Sequence, residues 1–215
     1  MTAEIEVGGA RLRLLPERAA YLPEAGWLLV ADAHVGKAAS FRRLGVPVPA
    51  GTTEATLARL DAALAATGAR GIVFLGDLLH SARGRAAATL DAWARWRGAH
   101  AALELTLVRG NHDRHAGDPP PSWGVRCVDG ALRLDGLALA HDPVPQPGAY
   151  VLAGHLHPAA VLGRRGPDRL RLPCFHFGPA VGVLPAFGAF TGMQVLPRGP
   201  GDRVYAIAGD AVRAL

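Results

Sequence analysis

Cysteine, lysine and long apolar runs are what this sequence lacks. Among 215 residues only Cys127 and Cys174 are cysteines. Neither sits in a CxxC or other paired spacing, which excludes a disulfide framework or a thiolate zinc site and leaves two thiols expected to be buried. No stretch approaches the ~18 uninterrupted apolar residues of a membrane span. Near the amino terminus stand Glu4, Glu6, Arg11 and Arg13, where a signal peptide would have its apolar core, so the expected compartment is the cytoplasm, with no membrane partner. There is no internal repeat, coiled-coil heptad or disordered tail. Of the 23 basic side chains only Lys37 is lysine. It falls three residues after a motif histidine, which leaves two readings open, a phosphate contact and a solvated loop lysine.

What is present is a chain that is 50% hydrophobic at 22.4 kDa, enough to bury one sizeable core, and a single domain over 1–215 is expected. A net charge of +5 and a pI near 10.0 suit a polyanionic partner, although an arginine-rich composition reaches the same balance.

Gly26 to Ala31 is a short apolar run ending at Asp32, as a strand buried on both faces would be. Thr52 or Thr53 can cap a helix whose Leu57, Leu60 and Leu64 recur at helical spacing until Gly68. Ile72 to Leu75 reads as a strand stopping at Gly76-Asp77. A helical pattern from Arg85 to Arg97, with Leu90, Trp93 and Trp96, ends at Gly98, and a strand from Leu103 to Val108 opens into Gly110-Asn111-His112-Asp113. This is βαβαβ with a polar motif after each strand, and such motifs share one edge of an open sheet. Beyond the Pro119-Pro120-Pro121 loop come short apolar runs at Val125–Val128, Leu132–Leu134, Leu137–Ala140, Tyr150–Ala153, Leu170–Leu172 and Val204–Ala208. They read as a second, mainly antiparallel sheet that brings His141 and Gly154-His155-Leu156-His157 across from the first.

Taken together, Asp32, His34, Asp77, Asn111, His141, His155 and His157 supply two carboxylates, one carboxamide and four imidazoles. That is enough nitrogen and oxygen to hold two divalent cations, and manganese, iron and zinc all accept such ligands. Asp77 is placed to bridge, with Gly76 permitting close approach of backbone and ion. Asn111 completes a shell without adding charge that would repel phosphate. His112 is left over for acid work on a leaving oxygen, with Asp113 expected to orient its ring and raise its basicity. His80, three residues after Asp77, is a candidate for the surroundings of the centre or for phosphate. Lys37, Arg42, Arg43 and Arg114, expected on loops at the same edge, are further phosphate candidates. His100, His115 and His176 read as loop or packing residues.

At these motifs the chain resembles the calcineurin-like metallophosphoesterase superfamily, whose Asp-x-His, Gly-Asp, Gly-Asn-His-Asp, His and Gly-His-x-His pattern it carries in order. The flanks, Asp32 to Arg43, Gly76 to His80, Leu172 to Pro179 and Phe190-Thr191-Gly192, are similar to one bacterial clade, the ligase-associated DNA damage response endonucleases, over roughly residues 10 to 210. The resemblance implies an α/β fold, a four-layer αββα sandwich of two mixed sheets, with two metal ions, most active as Mn2+. It further implies hydrolysis of DNA phosphodiesters, in single-stranded regions, and a DNA ligase and a helicase in the same pathway. By position, Asp32, His34, Asp77 and His157 would hold one metal, Asp77, Asn111, His141 and His155 the other, and His112 would act on the leaving group. Ala33 stands where a bulkier apolar residue is common, and His176 where an aromatic is expected on the substrate surface. The alternatives are a small-molecule phosphodiesterase or phosphomonoesterase on the same fold, and a non-catalytic binding scaffold.

Overall fold

The apolar runs of the first half lack a polar face because both of their faces are covered. The computed structural model describes residues 1–163 and 169–215. Its first half comprises strands β1 (Ala3–Val7), β2 (Ala10–Leu14), β3 (Ala20–Leu22) and β4 (Trp27–Val30), helices α1 (Lys37–Arg43) and α2 (Thr52–Thr67), strand β5 (Gly71–Leu75), helix α3 (Ala87–Ala99), strand β6 (Glu104–Val108), helix α4 (Asn111–Ala116) and strand β7 (Val125–Val128). The seven strands form one sheet in chain order, antiparallel from β1 to β4 and parallel from β4 to β7. The antiparallel β1–β3 extension was not foreseen. Val125–Val128, expected in the second sheet, pairs parallel with β6 instead.

Alternation along β4, β5 and β6 divides the core in two. Leu28, Val30, Ile72, Phe74, Leu105 and Leu107 meet Leu57, Leu60 and Leu64 of α2 and Trp93 and Trp96 of α3. Trp93, fully buried, stacks on Trp123 with ring centroids 4.5 Å apart. Large side chains buried in this way contribute about 1.5–3 kcal/mol each. Helix α2 is preceded by Gly51 in a left-handed conformation and closed by Gly68 in the same state, so no threonine side chain caps it. Helix α3 runs through Gly98 to Ala99, one turn position beyond the expected stop, because His100 continues the pattern by bonding back to Trp96 and Arg97.

The opposite faces of β4 to β6, with Leu29, Ala31, Val73, Leu75 and Val108, pack on a second sheet. It contains β8 (Leu132–Leu134), β9 (Leu137–Leu139), β10 (Tyr150–Ala153), β11 (Pro158–Leu162), β12 (Leu170–Phe177), β13 (Val181–Val183), β14 (Gln194–Val195), β15 (Arg203–Ala208) and β16 (Ala211–Ala214). Five of its pairings are antiparallel, but β9, β10 and β13 run parallel, so the chain leaves β9 and β10 at the same edge, at His141 and Gly154. Strand β12 continues past Leu172 to Phe177. Pro173 is tolerated there because β15 pairs only from Cys174 onward, leaving that edge of Pro173 without a ladder partner.

Two mixed sheets with helices are therefore the architecture. Among the described residues no helix follows Trp123, and the outer face of the second sheet carries the small buried side chains of Ala138, Ala140, Val151 and Ala153. Cys174 is buried and Cys127 half-buried, both free. Among the described residues no helix is long and apolar enough to cross a membrane.

Candidate metal centre

The loops after β4 and β5 run side by side. The His34 N–H donates to the Asp77 carbonyl at 2.8 Å and that of Val35 to Leu78 at 2.8 Å, so Asp32, His34 and Asp77 share one wall. The turns are tight. Of the seven non-glycine residues with positive φ among the described residues, five are Asp32, His34, Asp77, His155 and His157. Such conformations cost about 1–3 kcal/mol each and gather where function requires a particular orientation. Gly76 is required for a reason other than ion approach, because a Cβ there would overlap the His141 ring. Gly110 is required because a Cβ would overlap Asp77 Oδ1.

The donor atoms collect in two groups. In the first, His34 Nε2 and His157 Nε2 are 3.4 Å apart, Asp32 Oδ1 lies 3.6 Å from His157 Nε2, and Asp77 Oδ2 lies 3.9 Å from His34 Nε2. In the second, His141 Nε2 stands 2.8 Å from Asn111 Oδ1, 3.0 Å from His155 Nδ1 and 3.6 Å from Asp77 Oδ1. Asp77 thus sends one oxygen to each group. Donors held about 2.1 Å from a shared cation sit about 3 to 3.5 Å from one another, close to these spacings. Asp32 and Asp77 are 0% and 2% exposed, and Asp32 Oδ1 has no hydrogen-bond donor, its other oxygen accepting the His155 N–H at 2.8 Å. A buried carboxylate oxygen without a donor calls for a cation, and the donor set fits a divalent one. The same grouping logic admits Asp142 beside His141 and His155, a residue the sequence reading passed over despite its adjacency to His141.

Burial shifts both kinds of donor toward the neutral form. Burial, with Lys37 and His157 adding to it, drives His34 far below the ordinary histidine value, leaving a neutral imidazole. His141 Nδ1 donates to the Leu75 carbonyl at 3.1 Å, which leaves its Nε2 lone pair facing Asn111 and Asp77. Burial raises the Asp77 carboxyl.

His112 is oriented, but not by Asp113. Its Nδ1 donates to the His80 carbonyl at 2.8 Å, so Nε2 faces the centre 4.0 Å from Asp77 Oδ2, with the side chain 38% exposed. The Asp113 carboxylate instead accepts the N–H groups of Asp77 at 2.7 Å, Gly110 at 2.9 Å and Leu79 at 3.1 Å, tying α4 to the Asp77 loop. Burial pushes this carboxyl up to about 6 against those three donors. Its 1% exposure and fixed partners make it a positioning residue.

The phosphate candidates divide. Burial, Lys37 and His112 hold His80 down at about 4, so it is neutral at pH 7 and offers phosphate no charge, while its ring stacks on His112 at 4.7 Å. Lys37 is half-buried within electrostatic reach of Asp32 and Asp77. Lys37, Arg42 and Arg43 lie on α1 and Arg114 on α4, not on loops, and the three arginines are exposed. His176 is away from this edge. On β12, Phe175 and Phe177 point into the inter-sheet core, so His176 faces outward, where its Nε2 donates to Asp202 Oδ2 at 2.7 Å. Ala33 is 2% exposed and packs in the helix-side core.

A pair of cation-sized donor clusters bridged by one aspartate, at the ends of strands from two packed sheets, defines a metallophosphoesterase-type centre. Among solved structures the chain is similar to that of Pseudomonas putida nuclease MPE, with 44% sequence identity over 100% of both chains and a TM-score of 0.88. The chain belongs to this metallophosphoesterase family, of the ligase-associated endonuclease type. A more distant likeness is to Yfce, a phosphoesterase from E. coli, at 16% identity and a TM-score of 0.40, covering 86% of this chain and 95% of that one. No family model matches the sequence, and no curated protein does.

Proposed function

We propose that the chain is a divalent-cation-dependent phosphodiesterase that cuts DNA internally, by preference where it is single-stranded, in cytoplasmic DNA repair. The observation that carries the reading is the convergence of nitrogen and oxygen donors from seven side chains on two points, with buried Asp32 Oδ1 left without a donor. Asp32, His34, Asp77 and His157 would hold one cation, and Asp77, Asn111, His141 and His155 the other, with Mn2+ as the favoured metal. When bound, such a pair neutralises phosphoryl oxygens and makes a water nucleophilic at neutral pH. The chain's own residues do the rest. His112, its Nδ1 proton held by the His80 carbonyl, presents Nε2 on the open side to deliver a proton to the leaving oxygen. Lys37 stands within electrostatic reach of the carboxylates, and exposed Arg42, Arg43 and Arg114 meet the flanking phosphates. The 44% identical relative, itself named a nuclease, supports a nucleic acid over small esters.

The test is cleavage of matched single-stranded and duplex DNA by metal-stripped protein resupplied with Mn2+, alongside Asp77→Ala. Expected are internal cuts, more on the single strand, and in the variant a loss larger than the roughly 10–100-fold that removal of an outer partner costs. Intact DNA with turnover of a small phosphodiester would overturn the choice of substrate.

A further inference from the structure

Beside His112 opens a cleft of about 340 Å3, lined by Phe41, Leu44, His80, Ser81, Arg83 and His115, the size at which ligand-binding pockets begin. None of these residues is assigned to a cation. One wall is aromatic and apolar. The Phe41 ring lies 6.0 Å from that of His80 and meets Phe190 edge to face at 5.7 Å, while Leu44 is 59% exposed. The rim carries exposed Arg83 and His115. His80 stacks directly on His112, so the cleft begins one ring away from the side chain that faces the centre.

We propose that this cleft is a nucleobase subsite, in which the base of a nucleotide flanking the scissile phosphate lies against Phe41, Leu44 and His80 while Arg83 takes the neighbouring backbone phosphate. The proposal rests on the DNA reading above. Every base has a π-face, so an aromatic and apolar wall binds single strands without reading sequence, and a nearby arginine tracks the backbone. A base locked in a pair and stacked in a duplex must first be unstacked to enter, at a cost of a few kcal/mol. The cleft thereby gives the single-strand preference a location, on α1 and the segment after β5, separate from the centre itself.

The experiment compares two single-stranded oligonucleotides with one cleavable linkage each. One carries normal bases on both sides of it and the other stable abasic nucleotides, and both are given to the Mn2+-loaded wild type and to Leu44→Ala and Phe41→Ala. Leu44 is exposed, so its truncation does not endanger the fold. The wild type is expected to show a KM roughly tenfold lower for the base-bearing strand, and each variant to shrink that ratio toward one. Equal KM for both strands in the wild type, or an unaltered ratio in both variants, overturns the subsite alone. A wild type that hydrolyses a small phosphodiester but neither oligonucleotide overturns the DNA reading, and the subsite with it.

Discussion

The two sheets bring different things to one centre. From the first come Asp32, His34, Asp77, Asn111 and His112, and this side is braced by backbone. Asp113 gathers three N–H groups, the loops after β4 and β5 pair with each other, and Asp77 Oδ1 accepts the His112 N–H at 3.0 Å. From the second come His141, His155 and His157. Of these only His141 is buried with a backbone partner, whereas His155 is exposed and its Nδ1 meets only His141. The difference teaches a division of labour. The first sheet builds a frame tied together by bonds to backbone, and the second supplies imidazoles of which, among the described residues, His141 has a backbone partner for its ring while His155 and His157 meet other imidazoles.

Removing the frame's knot should have the largest effect. Asp113→Ala leaves three buried donors unsatisfied, each worth about 1–3 kcal/mol, so the metal-free protein should lose about 3 kcal/mol or more. At about 2–4 °C per kcal/mol for a chain of this size, its Tm falls by roughly 6–12 °C. His155→Ala, on the unbraced side, should stay within about 0.5 kcal/mol in the same metal-free scan. Comparable Tm losses in the two variants would abolish the comparison.

Addition of cation should then bring the two variants closer together. At a hundred times its Kd, a ligand bound only by the folded state contributes about 2.7 kcal/mol, so Mn2+ should raise the wild-type Tm by roughly 5–10 °C. His155→Ala should lose most of that rise at equal Mn2+, although its metal-free Tm is near wild type. A full Mn2+-induced rise in the variant would mean that the second sheet's imidazole contributes nothing to holding the cation.

The same division governs what could be read in advance. The β4, β5 and β6 runs and their polar ends were legible because each element is local and the motif sits at its terminus. The seven side chains read as donors also meet at one edge, because short spacings place each of them at a strand terminus. What escaped depended on contacts distant in sequence. Asp113 was paired with its neighbour His112 by adjacency, yet its partners at Asp77 and Leu79 are more than thirty residues away. His80 was read as a candidate for the surroundings of the centre or for phosphate, and it is its backbone carbonyl that orients His112. Helix α1 was missed because its seven residues begin after a left-handed Gly36 and carry no cap or periodic stripe. In the second half the short runs gave strands but not partners, so β7 was put in the wrong sheet.

The smallest expected effect asks whether the second sheet has bracing of its own outside the centre. Asp202 accepts the Gly199 N–H at 2.8 Å and the His176 Nε2–H at 2.7 Å, and these bonds, the backbone one first, hold its carboxyl below the ordinary value. A carboxyl lowered by folding contributes stability that is present above its unfolded value, about 3.9, and is lost as pH falls through the lower folded one. Asp202→Asn keeps an acceptor oxygen but not the charge. It should therefore cost about 1–2 kcal/mol at pH 7, a Tm decrease of a few degrees, and the gap from wild type should close as acid titrates Asp202 in the wild type. Nuclease activity per folded molecule should be close to wild type, because His176 faces away from the inter-sheet core and the centre. A gap in Tm that persists undiminished into acid would mean that the ion-dipole bonds to Asp202 are not what holds this edge of β12, and the second sheet would then be braced by packing alone.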